Sequence, residues 1–332
     1  MAAIDLLLNW SPASERMHQV VLAGLLQHTP LLRQLGISGN PLPSVATETQ
    51  GRLFDFTVPL DNGRSVQIEL KVDATLSEDQ MRRQMVAAAR ANDVLMYVLL
   101  GTTQFCSSQS YIQDFRIRQE VSQKEEDVIV VDLATMRRAV SSLVAETRDP
   151  DRRDLAAAYD SLLRNMEESF CAFEEKPLGE WISTDWFGFY DHLRRGLCID
   201  CSMAYVNNPS GGFVGCWWDA TQPNSDDDCE VYLQLEHDTL CFKIAICEQH
   251  ANSAAHLRDR FSDTVLTAGT ASGLHIKRPD RFGRGTWMTV AVLDRDYRAP
   301  VGASKVDWSY VQGIIGAADN VLKNAACQFA VV

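Results

Sequence analysis

The chain reads LFDFTVPLDNGRSVQIELK from residue 53 to residue 71, and this stretch decides the fold. Residues 53–60 and 65–71 both alternate polar and apolar side chains, which is the pattern of two half-buried strands. Between them, the residues Asp-Asn-Gly-Arg at positions 61–64 favour a tight turn. The stretch therefore predicts an antiparallel hairpin with acidic residues on both strands.

Two turn lengths give two registers for this hairpin, and only one of them brings the acidic residues together. A two-residue turn at Asn62 and Gly63 would place Asp55 opposite Leu70. A three-residue turn with Gly63 at positive φ places Asp55 opposite Glu69, with Cβ atoms about 4.5–5.5 Å apart. At that separation two carboxylates can share one divalent cation, so we predict the three-residue turn.

The composition indicates an ordinary globular protein. The 332 residues are 46% hydrophobic and 23% charged, which is enough for two domains that each bury a core. No stretch approaches the roughly 18 apolar residues of a membrane span, and the N-terminus lacks the basic segment of a signal peptide. The nine cysteines lack the regular spacing of a disulfide framework, which indicates reduced thiols and predicts a cytoplasmic location. The lack of a long apolar stretch predicts no membrane association.

A break in the pattern at residues 148–151 predicts the domain boundary. Residues 1–148 are expected to form an α/β domain with a mixed central sheet flanked by helices. Residues 149–332 are expected to form an antiparallel α+β domain for recognition or assembly. Five of the seven tryptophans lie between residues 181 and 287, where they either pack in a core or stack on a ligand. Trp217 and Trp218 cannot both point inward from one strand.

The order of the acidic residues and the lysine resembles the PD-(D/E)XK nuclease superfamily. In that pattern an acid comes first, an Asp lies on the next strand, and (Asp/Glu)-x-Lys lies on the strand after it. Asp55 and the run Glu69-Leu70-Lys71 match the second and third parts, and the helix that follows carries Gln80. The first acid is either Glu48, which we prefer because it is nearer in sequence, or Glu15 on the N-terminal helix.

The resemblance covers roughly residues 10–135 and departs from the family pattern at two positions. Phe54 replaces the proline that often precedes the Asp, and Gln84 stands where an aromatic residue often follows the helix glutamine. The resemblance implies a restriction-endonuclease-like core.

The resemblance also implies a metal-dependent nuclease that uses Mg²⁺ or Mn²⁺. The expected ligands are Asp55, Glu69, the backbone carbonyl of Leu70, and Glu48 or alternatively Glu15. Lys71 would orient or activate the attacking water, and Gln80 would contact the phosphate or the lysine. DNA is the expected substrate, and the expected role is cleavage of foreign DNA.

The net charge of −13 weighs against tight binding of nucleic acid by the chain alone, because phosphate neutralisation supplies much of such affinity. We therefore expect a homodimer or a protein partner to help hold the DNA. The alternative is a catalytically silent module that keeps the nuclease fold for binding or regulation in a larger complex. Retention of Asp55, Glu69 and Lys71 favours the enzyme, and the acidic surface favours the module.

Overall fold

Two compact units divide the chain between Ser169 and Phe170. The computed structural model describes residues 14–42, 46–47, 53–74, 76–107, 109–119, 124, 127–208, 211–221, 229–247, 253–282 and 285–330. The division falls within the helix Pro150–Cys171, so the first unit continues beyond residue 148, where the sequence predicted the boundary. The helix belongs largely to the first unit because its Tyr159 is buried there, with its hydroxyl 2.9 Å from Nδ1 of His18.

The described part of the first unit contains a five-stranded sheet flanked by helices. Its elements are α1 (Glu15–Leu25), α2 (Thr29–Gln34), β1 (Ala46–Thr47), β2 (Phe56–Pro59), β3 (Ser65–Val72), α3 (Glu78–Ala91), β4 (Val94–Leu100), α4 (Thr103–Cys106), α5 (Gln109–Arg118), β5 (Val128–Val131), α6 (Leu133–Glu146) and α7 (Pro150–Cys171). The strands follow the order β1-β2-β3-β4-β5. The first three are antiparallel and the last three are parallel, so the sheet is mixed, as predicted.

The β2–β3 hairpin has the predicted three-residue turn. Phe56 pairs with Ile68, and the N–H of Leu60 donates to the carbonyl of Arg64 at 2.9 Å. Gly63 has a φ of +82°, a conformation that residues with a side chain rarely adopt. This register places position 55 opposite position 69. The first strand is shorter than residues 53–60, because the chain leaves the ladder before Phe56.

Serine caps begin the two helices that flank the hairpin. Ser14 Oγ accepts the N–H of Met17 at the start of α1, and Ser77 Oγ accepts the N–H of Gln80 at the start of α3. Serine is a common residue at this position, and the acidic residues after Ser77 also indicate the start of a helix. The apolar spacing of residues 14–36 predicts one helix, whereas the structure divides it into α1 and α2, because Pro30 lies in the first turn of α2 and cannot donate a helical hydrogen bond.

The described part of the second unit contains a separate six-stranded antiparallel sheet. After short 3₁₀ turns at Ala172–Glu174 and Leu178–Glu180, its elements are α8 (Ser183–Leu197), β6 (Cys201–Val206), β7 (Phe213–Thr221), β8 (Cys229–Glu236), β9 (Thr239–Ile246), α9 (Ala254–Ser272), β10 (Ile276–Lys277), β11 (Trp287–Leu293) and α10 (Trp308–Ala330). The strand order is β10-β11-β9-β8-β7-β6. The antiparallel α+β architecture was predicted, whereas the two-residue strand β10 was not.

The two faces of the second sheet have different surroundings. Trp218 lies opposite Leu233 on the face that α10 covers, and its indole N–H donates to Asp319 of that helix at 3.0 Å. Trp217 lies opposite Gln234 on the other face and is only half-buried. The two adjacent tryptophans therefore point to opposite faces, as their position on one strand requires.

Three further aromatic residues of this unit form part of its core. Trp181, Trp186 and Phe189 are buried and contact one another with ring centroids 4.8–6.5 Å apart. The guanidinium of Arg298 lies 4.8 Å from the centroid of Trp181 and 4.7 Å from that of Trp186. These side chains stabilise the fold by packing and by cation–π contact, so they do not line an open site.

The C-terminal helix α10 packs against α9 and β8 through an apolar stripe. Its fully buried residues are Val311, Ile315, Ala318, Val321, Leu322, Ala325 and Phe329. Among the described helices, none combines the length and the apolar character that a membrane crossing requires.

Replacing Gly63 with alanine is expected to lower the free energy of unfolding by about 1–2 kcal/mol, because a Cβ disfavours the left-handed conformation. No heavy atom lies within 4 Å of that Cβ position, so the cost is conformational. Gly24→Ala is the matched control, since Gly24 lies in α1 and its Cβ would make ordinary contact with Leu155. It should stabilise by about 0.5–1 kcal/mol. Urea unfolding of both variants measures these values, and equal effects would contradict the three-residue turn.

Candidate active site

The carboxylate of Asp55 continues the β2–β3 ladder, because it accepts a hydrogen bond that a backbone carbonyl would otherwise accept. Its Oδ2 accepts the N–H of Leu70 at 2.8 Å, which fixes the side chain beside β3. The hairpin register places Asp55 across from Glu69, and both residues are buried, with 8% and 3% of their surface exposed. Two buried carboxylates are unfavourable unless neighbouring groups compensate them.

Two glutamines of α3 hydrogen-bond Glu69. Gln80 Nε2 donates to Oε1 of Glu69 and Gln84 Nε2 donates to Oε2, each at 2.6 Å. Residues four apart lie on the same side of a helix, so the pair presents both amides to one carboxylate. Gln84 also donates to the carbonyl of Leu53 at 2.9 Å. The departure from the family's aromatic residue therefore places a polar group at the site.

Lys71 supplies positive charge to the site. Its Nζ lies 2.5 Å from Oε1 of Glu69 and 3.7 Å from Oε1 of Glu15. Glu69 and Lys71 are two residues apart on β3, so they share a face of the sheet. The structure thus brings together Asp55, Glu69, Lys71 and Gln80, four of the candidate residues from the sequence.

The N-terminal helix α1 adds two polar side chains from one face. Gln19 Nε2 donates to Oδ1 of Asp55 at 3.0 Å, and Glu15, four residues earlier, reaches Lys71. Glu15 was the alternative to Glu48 as the additional acidic residue of the site. Glu48, the preferred candidate, lies outside the described residues.

Burial and the neighbouring charges set the protonation of the site. Burial, followed by the charge of Glu69, raises the pKa of Asp55 to about 7, although the Leu70 hydrogen bond and Lys71 act in the opposite direction. Burial acts to lower the pKa of Lys71, but the hydrogen bond and charge of Glu69 outweigh it and the pKa is raised. Lys71 is therefore a cation at neutral pH, which favours charge stabilisation over proton abstraction.

Two buried polar atoms near Glu69 have no hydrogen-bond partner within the part of the chain that the structure describes. They are the Tyr97 hydroxyl and the Oε1 atom of Gln84. Tyr97 lies beside Glu69 in the parallel β3–β4 register, and burial together with the charge of Glu69 raises the pKa of its hydroxyl. Unsatisfied buried atoms of this kind are rare in native proteins and mark places where a ligand or water completes the hydrogen bonding.

The sequence did not predict three polar residues of this site, namely Gln19, Gln84 and Tyr97. The two glutamines carry a signal, because each lies four residues after another candidate on the same helix face, Gln19 after Glu15 and Gln84 after Gln80. Tyr97 carries no such signal. It belongs to an unbroken apolar strand, and only the β3–β4 register shows that it lies beside Glu69.

The oxygen atoms present include the groups that a hard divalent cation prefers. Asp55 and Glu69 each provide a carboxylate, and the carbonyl of Leu70 is directed to the side of Asp55, because both backbone groups of a strand residue point to the same neighbouring strand. Within the described ranges, no cluster of three or more His, Cys, Asp or Glu side chains is arranged to hold a metal ion.

Comparisons of the chain with protein-family models, with curated proteins and with solved structures find no match. No relative therefore supplies a function by similarity. The contacts of Asp55, Glu69 and Lys71 carry the functional argument.

The stability of the protein in EDTA is expected to fall as the pH rises from about 4 to 7. The pKa of Asp55 is raised in the folded protein from 3.8 to about 7, so the folded state binds more protons than the unfolded state in this window. Asp55→Asn should remove the part of this decrease in stability that comes from Asp55. The variant should be more stable than the wild type above pH 7. Urea unfolding at several pH values measures the effect.

The control for this experiment is Asp114→Asn, which makes the same chemical change at an exposed position of α5. It should follow the wild-type pH dependence. A wild-type curve that coincides with that of Asp55→Asn at every pH would contradict a raised pKa for Asp55.

Proposed function

We propose that the protein is a metal-dependent nuclease that hydrolyses phosphodiester bonds, with DNA as its substrate. The observation that carries this proposal is the set of contacts around β3: Asp55 accepts the N–H of Leu70 next to Glu69, and Lys71 is bonded to Glu69. Two carboxylates and one lysine in this arrangement suit phosphodiester hydrolysis with a divalent cation. The restriction-endonuclease-like core is part of the same proposal.

The donor set fits Mg²⁺ or Mn²⁺. Asp55 and Glu69 are neighbouring hard oxygen donors, and burial together with the charge of Glu69 raises the pKa of Asp55, so a bound cation would stabilise its charged form. Each oxygen of Asp55 accepts one protein hydrogen bond and retains a lone pair. Asp55, Glu69 and the Leu70 carbonyl would hold the ion, with Glu48 as the further predicted ligand. The bound ion would supply Lewis-acid assistance and acidify water.

Lys71, Glu15 and the two glutamines would have the remaining roles at the site. Lys71, charged at neutral pH and only 14% exposed in its side chain, would stabilise negative charge that develops on the phosphate. Glu15 contacts the same ammonium and so orients it. Gln80 and Gln84 hold Glu69 in one rotamer, which keeps the carboxylate at the position that the cation needs.

The net charge of −13 bears on how the DNA is held. Arg82 and Arg83 lie exposed on α3, but Arg82 pairs with Asp79 and points away from the face that carries Gln80 and Gln84, which leaves Arg83 as local positive charge. This local positive charge is small compared with the net charge of −13. Binding of DNA through its phosphates needs a larger basic surface. A second copy of the chain or a partner protein would supply it. Cleavage of foreign DNA in the cytoplasm is the role that we propose for such an assembly.

One observation favours a second candidate, a silent module that keeps the fold for binding or regulation. Every carboxylate oxygen of Asp55 and Glu69 accepts a hydrogen bond from the chain itself, through Gln19, Leu70, Gln80, Gln84 or Lys71. The acidic pair is therefore partly satisfied without a cation. This candidate predicts neither cleavage nor metal binding.

Cleavage assays test the catalytic proposal. The wild type with Mg²⁺ or Mn²⁺ is expected to cut supercoiled plasmid, with single-stranded DNA and RNA as comparison substrates, and EDTA should abolish the activity. Lys71→Met should reduce the rate by about 100-fold or more, because it removes the charge near the reacting phosphate. Lys305→Met makes the same change at an exposed position and should cut like the wild type. Equal activity of Lys71→Met and the wild type would contradict the assignment.

Calorimetric titration with Mn²⁺ separates the two candidate functions if the wild type does not cut. An enzyme that lacks its partner should still bind Mn²⁺, and Asp55→Ala should abolish that binding because it removes one of the central carboxylate ligands. Asp114→Ala, at an exposed position, is the control and should bind normally. Absence of Mn²⁺ binding by the folded wild type would favour the silent module.

A further inference from the structure

The face of the second sheet that is turned away from α10 is called its outer face. An open cavity of about 710 Å³ lies on this face. Small-molecule sites have volumes of about 300–1,000 Å³, so the cavity is of ligand size. Trp217 and Tyr232 lie on one part of this face, and Trp287 lies on another. None of these residues belongs to the candidate active site, which is in the first unit.

The aromatic residues line the cavity because of the sheet register. Trp287 of β11 lies opposite Ala245, whose small side chain leaves space above β9. Tyr232 of β8 lies opposite Lys243. Trp287 is 74% exposed, which is unusual for a side chain whose burial contributes so much to stability. Exposed aromatic side chains around a concave surface offer flat apolar faces to a ligand.

The floor of the cavity is polar and held in place. Lys243 and Gln234 are only 9% and 7% exposed, and both donate to the same atom, Glu236 Oε1, at 2.8 and 3.0 Å. Lys243 also donates to Thr289 Oγ1 at 3.0 Å. Among the described residues, these contacts leave one ammonium proton of Lys243 and the carbonyl oxygen of Gln234 available to hydrogen-bond a ligand.

We infer that the outer face binds a nucleobase, either in a free nucleoside or nucleotide or in a single-stranded nucleic acid. A nucleobase is a flat ring with hydrogen-bond donors and acceptors along its edge. The aromatic side chains supply stacking surfaces, and the fixed donor of Lys243 beside the fixed acceptor of Gln234 supplies partners for the edge. Polar side chains nine-tenths buried below open aromatic rings are an arrangement that orients such a ligand.

The charges on this face favour the base over the other groups that aromatic side chains bind. The salt bridge with Glu236 offsets the charge of Lys243, and exposed Glu230 adds negative charge at the rim. A phosphate group therefore finds no net positive partner here. A cation would approach Glu230, but it would not use the donor of Lys243. We therefore expect binding that changes little with salt concentration, unlike phosphate-dominated binding.

Calorimetry and tryptophan fluorescence on the full chain in EDTA test this inference. The probes are adenosine, guanosine, cytidine and uridine, their 5′-monophosphates, and single-stranded DNA and RNA hexamers. Trp287→Ala should weaken binding of the recognised probe about tenfold, because stacking on one aromatic ring is lost. Lys243→Met should weaken it by a similar factor. The control is Ile182→Ala, at a position 60% exposed outside the cavity, which should bind like the wild type.

The probes distinguish the sources of the base. Nucleosides that bind as tightly as the hexamers indicate a free small molecule, and a hexamer at least tenfold tighter than every nucleoside indicates a nucleic-acid strand. The inference is overturned if no probe binds at millimolar concentration, if Trp287→Ala binds like the wild type, or if tetra-arginine binds in place of the bases. Trp287→Ala changes an exposed residue, so its result holds even if Lys243→Met unfolds.

Discussion

The hydrogen bond from the Leu70 amide to the Asp55 carboxylate depends on the register of one hairpin, and the candidate site depends on that bond. The turn at Gly63 sets which residues of β2 and β3 face each other. A shift by one residue would move Asp55 to the opposite face of the sheet, away from Glu69. The left-handed conformation of a single glycine thus determines whether two carboxylates meet.

The charges at the site are balanced by groups from three separate elements. The strand β3 contributes Glu69 and Lys71, α1 contributes Glu15 and Gln19, and α3 contributes the two glutamines. Each helix begins at a serine cap, which stabilises its first turn. Gln80 is itself the residue whose N–H binds the cap. Local hydrogen bonds at the start of α3 therefore position a side chain that acts on a strand residue eleven positions earlier.

The sequence predicted the parts of the fold that local chemistry controls. A tight turn follows from Asn62-Gly63, but its three-residue length was predicted because only that register brings Asp55 and Glu69 together. The start of α3 follows from Ser77 before two acidic residues, and β4 follows from an unbroken apolar run. The start of β2 could not be predicted, because Asp55 leaves the ladder only when its side chain, in place of a backbone carbonyl, accepts the N–H of Leu70. The end of the first unit was also missed. A break near Pro150 looks local, whereas Tyr159 packs against a helix more than a hundred residues earlier.

The side-chain amide of Gln84 has a hydrogen-bond donor, its nitrogen, and an acceptor, its oxygen. Its nitrogen faces Glu69 and its oxygen is buried without a partner among the described residues. A half-turn about the terminal torsion would exchange the two atoms, because the amide is nearly symmetric in shape. The orientation of this dipole therefore follows the charge of Glu69. The polarity that Gln84 presents to Glu69 can reverse in place, with no movement of the backbone.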